Sequence, residues 1–213
     1  MVKFKKLIIA CDGESASGKS TAAKLISKKY KLLLINSGLL YRYCSKLIIK
    51  NKPTSIVSFL KKKFKTVSYK VIAKQKLHSE EISNHVAILA KNKKVRKIIN
   101  QMQMKIIRTN SKICIEGRDI ASKVLAKNPK YDVAFYFKCS LKIAAYRRWI
   151  DLKKLVPLKE VKKSLKIRTM LDKKRKNSPL IKVKDAILVR SDKLNKKEVL
   201  LKMSKEIDKI LKN

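Results

Sequence analysis

An α/β fold with a five-stranded parallel sheet flanked by helices is predicted by three observations. Five short β-branched or aromatic runs, residues 5–11, 31–36, 112–116, 132–139 and 186–190, alternate with stretches whose apolar residues recur at helical spacing. At 213 residues and 45% hydrophobic, the chain can bury a sizeable core as one domain with a small insertion. Of its four glycines, Gly13 and Gly18 frame the loop after the first expected strand, Gly38 and Gly117 follow closely on the second and third, and none is spent on an ordinary turn.

The first strand leads into Gly13-Glu14-Ser15-Ala16-Ser17-Gly18-Lys19-Ser20, which satisfies G-x-x-x-x-G-K-[ST] at every fixed position. An amphipathic helix follows from Thr21 to Lys29. Strand, glycine loop and helix in that order place backbone N–H groups and a helix N-terminus around phosphate oxygens. Lys19 is then expected to reach the β and γ phosphates, and the Ser20 hydroxyl to bind Mg²⁺. A nucleotide is implied, though not yet a reaction. Guanine-specific switch chemistry is excluded, because neither N-K-x-D nor a D-x-x-G segment after the third strand is present.

The second strand ends in Asn36-Ser37-Gly38-Leu39-Leu40-Tyr41-Arg42 and the third in Glu116-Gly117-Arg118-Asp119. Each segment supplies an arginine at a strand C-terminus, suited to the phosphate of a second substrate. Helices are expected over 38–50, 80–108, 141–154, 159–176 and 196–212. Residues 53–78, with the short run Thr66–Ile72, read as an insertion, and 151–180, around Pro157, as a basic helical lid. A solvated basic helix would have the same composition. Arg168, Asp172 and Arg175 fall at i, i+4 and i+7 on one helix face, which fits either intrahelical ion pairs or a functional face. The core is thus assigned to 1–52, 79–150 and 181–213.

The net charge of +41 would by itself suggest a nucleic acid or another anionic partner. With nine arginines, however, 47 of the 56 cations are lysines spread along the whole chain, the pattern of a compositional bias. Cys11, Cys44, Cys114 and Cys139 lack metal-site spacing, and three of them sit in apolar strand runs, as small buried hydrophobes do in a reducing compartment. The apolar stretch before Cys11 is too short for a signal sequence. A cytoplasmic protein is expected.

Taken together, these segments resemble the bacterial cytidylate kinases over nearly the whole length. The matching stretches are "IIACDGESASGKST", "INSGLLYR", "HSEEISNHVA…VR", "IEGRDIASKVL" and "IRTMLDKKRKNSPL". The resemblance implies a P-loop kinase fold with a nucleotide-binding insertion and a lid, acting as a monomer that moves the γ-phosphate of ATP to CMP or dCMP. It further implies that Gly13 to Thr21, with Arg147 and Arg148, hold ATP, and that Ser20 or Thr21 lies near Mg²⁺. Arg42 and Arg118 would hold the acceptor phosphate. Ser37, Arg96 and Asp119 would read the cytosine, with Tyr41 in the same binding segment. Arg168 and Asp172 would secure the ribose, and Arg175 would lie near the base or phosphates. Lys19, Arg42, Arg118, Arg168 and Arg175 are the expected catalytic set. Some positions depart from the family pattern: Glu14 replaces a proline, Ala87 a base-reading serine, Thr169 an aspartate, and Ala121-Ser122 a Gly-Thr pair. Kinases of UMP, AMP, dTMP or nucleosides remain as rivals, as does a basic RNA-binding protein on a nucleotide-binding fold. "SGLLYR" followed by "EGRD" disfavours the other kinases.

Overall fold

The computed structural model describes residues 6–212. Residue 5, the first of the expected 5–11 strand, lies outside them. Two compact units emerge, Met1–Ile35 with Asn110–Asn213, and Asn36–Thr109.

The first unit carries the sheet. Strands β1 (Leu7–Gly13), β2 (Leu33–Asn36), β3 (Lys112–Gly117), β4 (Val133–Lys138) and β5 (Ile187–Arg190) are arranged in the order β2-β3-β1-β4-β5. The registered pairs, β1 with β3, β1 with β4 and β4 with β5, are all parallel. Central β1 is buried along its whole length, which its unbroken apolar run requires of a strand covered on both faces. It extends two residues beyond the apolar run, because the Asp12 carboxylate accepts from the Ile120 and Ala121 amides at 2.9 and 2.8 Å and can therefore be buried. Helices α1 (Lys19–Lys29) and α9 (Lys196–Lys212) pack on the sheet through Ala22, Ile26, Val199, Met203 and Ile207. Helices α7 (Leu141–Asp151) and α8 (Leu158–Lys174) join through Ala144, Ala145, Val161 and Leu165.

The second unit is helical: α2 (Ser37–Asn51), α3 (Ile56–Thr66), α4 (Tyr69–Ala73), α5 (Glu80–Leu89) and α6 (Lys93–Arg108) surround a core of Leu40, Leu60, Ile72, Leu77, Val95 and Ile99. The 66–72 run, β-branched in composition, forms no strand. Ser68 caps α4 by accepting from Val71 N, and Ile72 and Leu77 supply the burial. The single helix expected over 80–108 is two, since the Asn92 side chain accepts from Lys94 N and Val95 N and starts α6 afresh.

Candidate active site

In the first unit the loop from Gly13 to Ser20 closes tightly on its neighbours. A Cβ on Gly13 would lie 2.4 Å from the Phe137 carbonyl oxygen, so glycine alone lets β1 end against β4 here. Gly18 stands at the N-cap of α1 with φ of 77°, and no side chain caps the helix, which leaves its first amides to an anion. Ala16 also takes positive φ, 55°, held within a loop fixed on both sides. Ser17 Oγ donates to the Glu14 carbonyl at 2.9 Å, and Ser191 Oγ donates to the Ser17 carbonyl at 2.7 Å. Both carbonyls are thus satisfied by hydroxyl donors.

Lys19 is buried, and burial, reinforced by the positive charge of Arg118, lowers its pKa to about 7. A bound phosphate would favour its charged form. Burial raises Asp12 to about 6 despite its two amide donors. Ser20 Oγ donates to Glu116 Oε2 at 2.5 Å, so a hydroxyl and a carboxylate stand side by side at the head of α1. Such oxygen donors suit Mg²⁺, which takes one or two protein ligands and completes its shell with phosphates and water. Thr21 is exposed on the same turn.

Beyond β3, Arg118 spreads its guanidinium over three acceptors: Asp172 Oδ2 at 2.9 Å, the Gly117 carbonyl at 3.1 Å and Ser15 Oγ at 3.3 Å. Arg175 reaches Asp119 and Asp172, each at 3.4 Å. Arg168 lies close enough for its charge to act on Lys19. Arg168 and Asp172 lie on α8, but the helix ends at Lys174 and Arg175 follows in extended backbone, so the expected common helix face stops short of Arg175, which reaches the strand end from beyond the helix. Lys173 Nζ meets Glu14 Oε1 at 2.6 Å. Beside that pair a cavity of about 350 Å³ is lined by Glu14, Ser15, Lys166, Thr169 and Met170 among others. Arg147 binds Ser191, donating to its carbonyl at 2.9 Å and its hydroxyl at 3.4 Å, and so braces the loop at Ser17. Arg148 is half-buried and outside this network.

The second unit gathers the other expected residues. Arg42 Nη1 donates to the Leu77 carbonyl at 3.2 Å and to Ser83 Oγ at 2.9 Å. Arg96, buried, donates to the Ala90 carbonyl at 3.1 Å and stacks over the Tyr41 ring at 5.6 Å. Ser37 Oγ accepts from Gln103 Nε2 at 2.9 Å.

Sequence reasoning gave no role to Asp12, Glu116, Gln103, Lys173 or Ser191. Glu116 leaves a signal, a single carboxylate closing the apolar run Ile113–Ile115. Asp12 leaves a similar one at the end of β1.

A family model described as cytidylate kinase matches residues 9–209. The chain is similar to a cytidylate kinase of Listeria welshimeri serovar 6b, 32% identical over 93% of this chain and 95% of that protein. It is likewise similar to one from Fusobacterium nucleatum, 31% identical over 96% and 98%. A solved structure of an uncharacterized protein from Eubacterium ventriosum shares the fold, with a TM-score of 0.54 and 17% identity over 96% of this chain and 99% of that one. Because the match runs from the middle of β1 into α9 and takes in the phosphate loop and the α7–α8 pair, this chain belongs to the cytidylate kinase family.

Proposed function

We propose that the protein transfers the γ-phosphate of ATP to CMP or dCMP, giving CDP or dCDP and ADP. The observation that carries this reading is the buried Lys19 at the uncapped N-terminus of α1, with the Ser20–Glu116 pair beside it.

Phosphoryl transfer needs positioning and charge neutralisation more than covalent chemistry. The amides from Gly13 to Thr21 hold the donor phosphates, and Lys19, its charged form favoured by them, meets the β and γ oxygens. Ser20 and Glu116 would hold Mg²⁺, which when bound neutralises charge on those oxygens. Arg147 and Ser191 keep the loop in shape on the donor side, and Arg148 adds positive charge there. Arg42 and Arg118 bind the acceptor phosphate as planar forks. Ser37, Tyr41, Arg96 and Asp119 read the pyrimidine, while Arg168, Asp172 and Arg175 secure the ribose and the transferring group. Residues 151–180 serve as the lid and 53–78 as part of the acceptor-binding region. No general base is required, since the attacking phosphate oxygen is already an anion.

The four buried free cysteines fit a reducing, cytoplasmic setting, and small molecules acting on a monomer suffice as partners. Among the described residues no helix is long and apolar enough to cross a membrane. Thin-layer phosphotransfer from ATP to CMP, dCMP, UMP, AMP and dTMP tests the proposal. CMP and dCMP should be the best acceptors, and preference for AMP or dTMP would overturn it.

A further inference from the structure

Helices α2 and α6 meet through two polar rungs. In one, Gln103 Nε2 donates to Ser37 Oγ at 2.9 Å; in the other, the Arg96 guanidinium lies 5.6 Å from the centre of the Tyr41 ring. Ser37 and Tyr41 are one turn apart on α2, and Arg96 and Gln103 two turns apart on α6, so the helices run in opposite directions. The remaining buried face of α6 is apolar. Val95, Ile99, Gln103 and Ile107 recur every four residues, and glutamine is the only polar member of that stripe.

Packing does not account for it. Gln103 is fully buried, and its carbonyl oxygen has no hydrogen-bond partner. An unmatched buried carbonyl costs more than one ordinary hydrogen bond returns, so leucine or methionine would serve a purely structural role better. The N–H of the same amide nevertheless has a specific target. It enters a lone pair of the Ser37 oxygen, which forces the hydroxyl proton to point elsewhere. Ser37, itself 6% exposed, is thereby presented as a donor.

We infer that Gln103 is a positioning residue that fixes the Ser37 hydroxyl as a hydrogen-bond donor to an acceptor atom of the nucleoside monophosphate. The inference rests on the reading of Ser37 as acceptor-binding given above. The atom met is either a ring acceptor of the base or a phosphate oxygen. The first source carries selectivity, because N3 of cytosine accepts where N3 of uracil carries a proton.

Gln103→Met keeps the length and burial of the side chain and removes the amide. The variant should melt at or slightly above the wild-type temperature and keep its KM for ATP. Its kcat/KM for CMP should fall about tenfold, the scale of one lost contact in a site built to hydrogen-bond its substrate. Ser37→Ala should show the same loss, and the double variant no more than either single one. A fall in the CMP-to-UMP ratio identifies the base as the source, and equal losses with both nucleotides the phosphate. If Gln103→Met does not fold, Gln103→Glu is read in the same way at alkaline pH, because its ionised carboxylate can only accept from Ser37 and reverses the hydroxyl. Wild-type kinetics in the Gln103 variant beside an impaired Ser37→Ala would overturn the positioning role alone. A silent Ser37→Ala would overturn the reading beneath it, and additive losses would show that the two residues act separately.

Discussion

Arginines of the two units are held in chemically different ways. Arg118 in the first unit is paired with a carboxylate, Asp172, and Arg175 beside it touches both Asp172 and Asp119. In the second unit the hydrogen bonds described for Arg42 and Arg96 go to neutral acceptors, the Leu77 and Ala90 carbonyls and the Ser83 hydroxyl. Any anion binding at Arg118 would compete with the Asp172 carboxylate already there. The first unit thus holds its arginines against carboxylates, and the second sets Arg42 and Arg96 beside the carbonyls and the hydroxyl of a helical core.

The largest effect should come from the most buried charge. Lys19→Met is expected to lower kcat by about 10²–10³, in line with the loss of one preorganised donor. The same change should stabilise the fold at neutral pH. Burial lowers Lys19 to about 7 from an unfolded value of 10.5. Between these values the unfolded chain binds more protons, so the stability of the wild type rises with pH across that window. Denaturation at pH 7 and pH 9.5 should show this rise in the wild type and a smaller one in Lys19→Met. Activity retained in the variant would remove the loop assignment altogether.

Next in size are Arg118→Lys and Arg42→Lys. Each keeps its charge but loses the fork, and steady-state kinetics should show kcat/KM for CMP falling by roughly ten- to a hundredfold, the scale of a charged hydrogen bond. If the comparison holds, Arg118→Lys also loosens α8 through Asp172, and limited proteolysis of 151–180 should quicken in that variant alone. Equal proteolysis in both would erase the distinction between the units.

Ala87→Ser is expected to act more mildly. Ala87 is half-buried on α5, and a hydroxyl there should raise the kcat/KM ratio of CMP over UMP about tenfold, with ATP kinetics unaltered. An unchanged ratio would mean that the side chain does not face the base. Smallest is the Glu14–Lys173 pair, whose lysine is 44% exposed. Lys173→Met should cost under about 1 kcal/mol in denaturant unfolding, as half-exposed pairs do. A larger loss would mark that pair as the main anchor of α8.

The phosphate loop was legible in the sequence because its demands are local: glycines at fixed spacing, then a lysine and a hydroxyl. The strands were legible for the same reason, and each of the five expected runs begins and ends within two residues of an observed strand. Glu116 acquires its meaning only from register, since it stands opposite Cys11 on β1 and so beside the start of the loop. The spacing of Arg168, Asp172 and Arg175 fitted intrahelical pairs as well as a functional face, and only the fold shows that Asp172 makes its shorter contact with Arg118, 54 residues away. Gln103 was hidden by its own periodicity, occupying a stripe position that an apolar residue would fill. The break at Asn92 was masked by apolar spacing that continues across it.

The carboxylates at the strand ends have a consequence for a chain this cationic. Asp12, Glu14, Glu116, Asp119 and Asp172 are five of only fifteen acidic residues, and around them stand Lys19, Arg118, Arg147, Arg168, Lys173 and Arg175. The site is therefore an almost neutral island on a surface that attracts every anion. Exposed lysines act as a diffuse counter-ion reservoir, and added salt silences them over distances beyond about 8–10 Å. The island, built from contacts of about 3 Å, keeps its pairing as the reservoir is screened. Ionic strength can therefore weaken the long-range attraction of the surface without disturbing the pairing among these side chains.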